Sequence, residues 1–318
     1  MHLTYGFLFP GQGSQFVGMG ADLAARFEAA RRVFVDADEA MGMHLSRIMW
    51  EGPEETLRET RFTQPAILTH SLAVLAVVRE VMGDDPPAIT AGHSLGEYGA
   101  LVAARVLAPT DALRIVKRRG ELMQRAGENT PGAMAALIGF DQEQVADVLT
   151  RVREAGVVVA ANLNAPDQTV VSGTREAVQQ VMDLATAHGA KRVIPLAVSG
   201  AFHSPLMAGV AQELVDVVQG VMFSPPACAV VPNVTAVPTS DADELRRCLL
   251  LQIERPVRWA DSMRAMIAVG TTAFLELGPG RVLAGLAKRI DREASVEAVS
   301  DPESVAQLKE GIRGERRP

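Results

Sequence analysis

Apolar positions along this chain follow two periods. Residues 5–9 (YGFLF) form a short apolar run closed by Pro10, which predicts a buried strand. Three amphipathic stretches follow, up to about residue 57. Residues 64–82 are apolar on most faces, the pattern of a helix packed on all sides. A second strand is predicted over 88–91, a helix over 95–106, and another opened by Pro109 and running to about 126. Strands alternating with helices imply an α/β fold with a mostly parallel sheet.

The pattern changes between 131 and 198. There it reads strand (133–138), helix (142–154), strand (157–162), strand (168–172), helix (175–188), strand (191–198), with a turn at Asn164-Ala165-Pro166-Asp167 joining the middle strands. This βαββαβ order is that of a ferredoxin-like unit. The expected organisation is a large α/β domain of residues 1–130 and 199–300, interrupted by a small domain over 131–198. In the second large segment, Ser204-Pro205 predicts a helix start just beyond His203. Helices are expected around 241–251, from about 259 and over 282–290, and strands over 227–231 and 273–277. The charged stretch 301–318 reads as a flexible tail.

Composition narrows the class. The 318 residues are 48% hydrophobic and 22% charged, enough for a large core. A net charge of -7 argues against nucleic acid as a partner. Cys228 and Cys248 form no CxxC pair, so neither a disulfide framework nor a metal site is expected. No run of 18 or more apolar residues occurs and the first ten residues lack a signal-peptide pattern, so the expectation is a soluble cytoplasmic enzyme without a membrane segment.

Gly92-His93-Ser94-Leu95-Gly96 matches the G-x-S-x-G nucleophile elbow, in which a strand turns sharply into a helix. Ser94 then sits at a helix N-terminus, where free N–H groups favour a developing oxyanion. A serine nucleophile needs a base, and histidine suits neutral pH. Of six histidines, His93 is the elbow neighbour and points away, His70 lies in an apolar helix, and His2, His44 and His188 sit in polar or terminal contexts. His203 lies among small residues (SGAFHSP) at a strand-to-helix junction, and leads by elimination. The Gly11-Gln12-Gly13-Ser14-Gln15 loop lacks the spacing and Gly-Lys-Ser/Thr ending of a phosphate loop. Arg119, in Lys117-Arg118-Arg119, reads on its own as part of a solvated face.

Taken together, FPGQGSQ (9–15), GHSLGEY (92–98), RRGELMQ (118–124), GAMAALIG (132–139), GAFHSPLM (200–207), Gln252 with PVRW (256–259), and ELGPGRVL (276–283) resemble the malonyl-CoA:acyl-carrier-protein transacylase family. The likeness runs from Phe7 to about Arg289. It implies a hydrolase-like large domain and ping-pong transfer of a malonyl group from malonyl-CoA to acyl carrier protein, for fatty-acid or polyketide synthesis. It also implies Ser94 as nucleophile, His203 as base, and the backbone N–H groups of Gln12 and Leu95 as oxyanion hole. Arg119 would pair with the malonyl carboxylate, Gln252 would orient the histidine through its carbonyl, and Asn162 and Phe202 would line the cleft. Phe202 would crowd an α-methyl branch and favour malonyl over methylmalonyl. Lys191, Arg192, Lys288 and Arg289 are candidate docking cations for an acidic carrier protein. A monomer needing no metal and no cofactor beyond its CoA substrate is expected. Two other readings stand beside this one. They are a serine hydrolase or editing thioesterase, against which Arg119 argues, and a non-catalytic carrier-binding module, against which Ser94, His203 and Arg119 argue together.

Overall fold

A computed structural model describes residues 5–198 and 200–315. Five strands, β1 (Gly6–Phe9), β2 (Ile89–Gly92), β7 (Ala229–Val231), β8 (Ala273–Leu277) and β9 (Ser295–Val299), form one sheet in the order β7-β2-β1-β8-β9. Every pairing in it is parallel. Strands β1 and β2 are buried along their whole length, as continuous apolar runs in a parallel sheet require. The remaining strands, β3 (Gly132–Ile138), β4 (Val158–Ala165), β5 (Gln168–Thr174) and β6 (Arg192–Pro195), form a separate antiparallel sheet in the order β4-β5-β3-β6. With helices Gln142–Arg151 and Arg175–Ala187 between its strands, this sheet has the ferredoxin-like βαββαβ order.

The 23-residue helix Thr60–Met82 packs on helices Glu28–Met41 and Pro109–Asn129, at the centre of the largest core. It is long and apolar enough to cross a membrane by length and composition, yet most of its apolar window is buried inside the protein. Its apolar content therefore has a core to fill. A second core, around Trp259, Met263, Phe274 and Leu283, fills the other face of the parallel sheet.

The two sheets are joined where it matters for the site. At the end of β4, Leu163 N–H donates to the Val257 carbonyl and Val257 N–H to the Ala161 carbonyl, both at 2.8 Å. The segment just after Gln252 is thereby fixed to the antiparallel sheet.

The end of the chain corrects the expectation of a flexible tail from 301. Residues 295–299 are strand β9, and Pro302–Glu315 is a helix packed against helix Thr60–Met82. Its apolar residues are few but spaced for one face: Val305 and Leu308 are buried, and Ile312 packs beside them. Asp301 starts the helix by accepting from Ser304 N–H at 2.8 Å. The charges are the outer face of a docked helix. The terminal Arg316, Arg317 and Pro318 lie outside the described residues.

Because Leu308 is buried, Leu308→Ala should lower unfolding stability by about 2–5 kcal/mol, the usual cost of emptying a buried leucine site. A urea midpoint equal to that of the parent chain would show the helix to be loosely attached.

Candidate active site

The elbow follows from the close approach of β1, β2 and the helix Gly96–Ala103. A Cβ on Gly92 would overlap the backbone of Gly96, and one on Gly96 would overlap the Phe9 carbonyl, so neither position tolerates a side chain. Between them Ser94 is held at φ 51°, a left-handed conformation that a non-glycine residue adopts only under constraint. The strain lifts its Oγ out of the turn. His203 is held likewise, at φ 57°.

The structure brings Ser94 and His203 together across 109 residues: Ser94 Oγ lies 2.7 Å from His203 Nε2. On the other side of the ring, Nδ1 lies 2.8 Å from the Gln252 carbonyl. A carbonyl only accepts, so Nδ1 carries the proton and Nε2 offers its lone pair to the serine hydroxyl. Burial, and then the Arg119 charge, hold the imidazole down at about 3. The histidine is neutral across the physiological range and free to accept a proton.

Arg119 faces inward and is 1% exposed, although its neighbours behave as the surface run suggested: Arg118 pairs with Glu213 on the surface. Its guanidinium donates to Gln64 Oε1 at 2.6 Å, to Gln252 Oε1 at 3.2 Å and to Ser94 Oγ at 3.2 Å. Among the described residues no carboxylate lies within ion-pair distance of it, and Nε has no partner. Burial lowers its pKa from the ordinary value, while Tyr98 and Glu97 oppose that shift. A buried guanidinium held by two neutral amides retains its charge for an incoming anion.

A cavity of about 540 Å3 opens over these groups, lined by Ser94, His203, Arg119, Gln12, Leu95, Asn162 and Phe202 among others. The N–H groups of Gln12 and Leu95 donate to no group among the described residues, whereas the Ser94 N–H is already taken by Asn233 Oδ1 at 2.7 Å. Both residues line the cavity beside Ser94, so their N–H groups are candidate backbone donors there. Asn162 sits on β4 with its amide 3.5 Å from His93 Nε2, and Phe202 is buried directly before the histidine. His93 turns away from Ser94 and pairs with Asn164 at 2.8 Å.

Lys191, Arg192, Lys288 and Arg289 line a second, shallower cavity of about 640 Å3, together with Arg292, Asp167 and Asp291. Arg289 is already paired to Asp167 at 2.8 Å, which subtracts one free cation from the patch. Helix Val282–Ile290 contributes to both cavities, and Asn164 and Gln168 at the ends of β4 and β5 line the first while the turn between those strands lines the second, so the two are neighbours.

Sequence reasoning did not single out Asn233, Glu97 or Gln64. Asn233 donates to the Gly92 carbonyl at 2.6 Å while accepting from Ser94 N–H, so it clamps both ends of the elbow. It follows the end of β7, the neighbour of β2, and the carboxyl ends of parallel strands are where such residues gather. Glu97 is fully buried and accepts from Gln252 Nε2 at 2.8 Å. Its signal was a charge on an otherwise apolar helix.

An acyl transferase domain model matches residues 6–316. A malonyl CoA-acyl carrier protein transacylase of Bacillus subtilis (strain 168) is 46% identical over 300 residues, 94% of each chain. The transacylase of that name from Escherichia coli (strain K12) is 41% identical, over 95% of this chain and 97% of its own. Among solved structures, a malonyl-transacylase bound to the acyl carrier protein of a type II polyketide synthase matches with TM-score 0.92 and 41% identity, over 97% and 99% of the two chains. A transacylase from Coxiella burnetii matches with TM-score 0.94 and 36% identity, over 98% of both.

The low position of His203 makes a pH prediction. With the neutral ring as the base, Ser94 should stay reactive well below the ordinary histidine range and lose reactivity only as pH falls towards 3. Labelling of Ser94 by an uncharged fluorophosphonate should be nearly as fast at pH 5 as at pH 7. A rate that halves near pH 6.5 would mean an ordinary, hydrated histidine.

Proposed function

The chain belongs to the acyl transferase domain family, and from that premise we propose how its site works. It is a malonyl-CoA:acyl-carrier-protein transacylase, acting in two half-reactions through an acyl-serine. The observation that carries the substrate assignment is the buried Arg119, which has no acidic partner among the described residues and stands 3.2 Å from the nucleophile.

In the first half-reaction Ser94 Oγ attacks the thioester carbonyl of malonyl-CoA and its proton passes to His203 Nε2. The oxyanion of the tetrahedral intermediate is held by the N–H groups of Gln12 and Leu95. The C–S bond breaks, His203 returns the proton to the leaving CoA sulfur, and a malonyl ester remains on Ser94. In the second half-reaction the phosphopantetheine thiol of the carrier protein gives its proton to His203 and attacks the ester. Malonyl thioester forms, and Ser94 recovers its proton. No carboxylate is needed behind the histidine, because the Gln252 carbonyl fixes the tautomer.

Arg119 takes the malonyl carboxylate in the planar, two-point geometry that suits a guanidinium. Its pull keeps the acyl chain in one orientation and selects against acetyl groups. Phe202, buried beside the cavity, supports selection against an α-methyl branch. Asn162 lines the same cavity from β4. The acidic carrier protein would dock on Lys191, Arg192, Lys288 and Arg289, with Arg292 added to the set, since this basic hollow adjoins the catalytic cavity. The hydrolase reading is disfavoured by the same arginine, because release of simple acyl chains has no use for a buried anion site.

Intact mass after brief exposure to malonyl-CoA, acetyl-CoA and methylmalonyl-CoA tests the assignment. A malonyl adduct should form on the parent chain, vanish in Ser94→Ala, and fall at least about tenfold in rate in Arg119→Ala, the expected loss for a charged hydrogen bond. An adduct forming equally from acetyl-CoA, or indifferent to Arg119, would favour the hydrolase. For docking, Lys191→Glu with Lys288→Glu should raise the KM for carrier protein several-fold and leave the malonylation of Ser94 intact. An unchanged KM would place the docking surface elsewhere.

A further inference from the structure

Glu97 lies in the first turn of helix Gly96–Ala103 and is completely buried. Its Oε2 accepts from the Asn233 N–H at 2.9 Å and from Gln252 Nε2 at 2.8 Å. Its Oε1 has no hydrogen-bond partner among the described residues. An ionised carboxylate would bury a charged oxygen with no donor, whereas a neutral acid with its proton on Oε1 leaves one O–H unpaired, the smaller of the two costs.

Those two donors reach every part of the reacting centre. Gln252 Nε2 also donates to the Ser94 carbonyl at 3.0 Å, which turns its Oε1 towards Arg119. The backbone carbonyl of the same residue holds His203. Asn233 holds both ends of the elbow. The two ends of the Gln252 amide have the same shape and are told apart by their partners. Glu97 Oε2 and the Ser94 carbonyl, both acceptors, together point the nitrogen inward and leave the oxygen to the guanidinium.

We propose that Glu97 is a positioning residue working as a neutral acid: through Oε2 it fixes Gln252 and Asn233, and it must be uncharged for a second carboxylate to be accepted at Arg119. This rests on the reading that Arg119 takes the malonyl carboxylate. Glu97 reaches Arg119 through the Gln252 amide, and among buried groups an ionised carboxylate there would oppose a second one at the guanidinium with reduced screening. The groups around Glu97 are Arg119 from helix Pro109–Asn129, Tyr98 beside it, Cys248 and Gln252 from the 242–252 segment, and Asn233 after β7. Tyr98 and Cys248 are both pushed up to about 12 by burial and stay neutral. His203 meets Arg119 at Ser94 Oγ, and burial lowers both it and His93, which precedes that serine, favouring neutral rings. Among these groups Glu97 is the carboxyl. Burial lifts it to about 7, against the hydrogen bonds from Asn233 and Gln252 and the Arg119 charge, which pull it down.

The test is rapid-quench acylation of Ser94 by malonyl-CoA and by acetyl-CoA between pH 6 and 8, on the full chain, Glu97→Gln and Glu97→Met. Glutamine keeps one acceptor oxygen and never ionises; methionine keeps the shape and loses the acceptor. In the parent chain kcat/KM for malonyl-CoA should fall about tenfold from pH 6 to 8 through a rising KM, as for one group ionising near 7, while acetyl-CoA shows no such fall. Glu97→Gln should flatten the malonyl profile at its pH 6 level. Glu97→Met, checked for folding by circular dichroism, should lose about 100-fold in kcat with both donors, the scale of a mispositioned catalytic group. A fall that persists in Glu97→Gln, or a folded Glu97→Met as fast as the parent, overturns the proposal. Should the methionine variant not fold, the glutamine profile alone decides. A parent chain that takes no malonyl group would sink the substrate reading instead, a different result from malonyl loading whose pH dependence ignores residue 97.

Discussion

One glutamine ties the site together. Gln252 uses its backbone carbonyl to fix the protonated side of His203 and its side chain to hold the Ser94 carbonyl, Arg119 and Glu97. The nucleophile, its base and the candidate anion site are therefore set by one residue at the C-terminal end of helix Ala242–Leu251. The requirement is stringent because the surroundings are dry. A carbonyl can do the orienting work of a carboxylate when the aim is a neutral histidine, and it adds no negative charge near a site meant to attract one.

The same economy explains the amides around Arg119. Pairing the guanidinium with a carboxylate inside the fold would satisfy it and abolish its pull on a substrate. Leaving it with no partners would cost several kcal/mol of desolvation. Gln64 and Gln252 hydrogen-bond it without neutralising it. The strain at Ser94 and His203, both at positive φ, is sustained by the packing of β1 against the elbow and by the Asn233 clamp.

Much of this was legible in the chain itself. The buried runs of β1 and β2, the G-x-S-x-G turn and the βαββαβ order of the antiparallel sheet each follow from local pattern, because each records contacts made within a few residues. What escaped is long-range or sparse. Asn233 acts on a serine 139 residues away, and nothing near it in sequence marks that contact. Glu97 was visible as a charge inside an apolar helix, but its partners come from two other segments. The final helix was read as a tail because three apolar residues at helical spacing are a faint signal among many charges. Arg119 shows the converse: its local context argued for a solvated face, and only tertiary packing turned it inward.

The central claim is that the acyl group lies between Arg119 and the two backbone donors when it is transferred. A crystal structure of Ser94→Ala soaked with malonyl-CoA tests it most directly. The account predicts the malonyl carboxylate against the Arg119 guanidinium at two points, with the thioester oxygen within hydrogen-bond distance of the Gln12 and Leu95 N–H groups. A carboxylate turned towards solvent, with Arg119 still bonded to Gln64 and Gln252 alone, would contradict it.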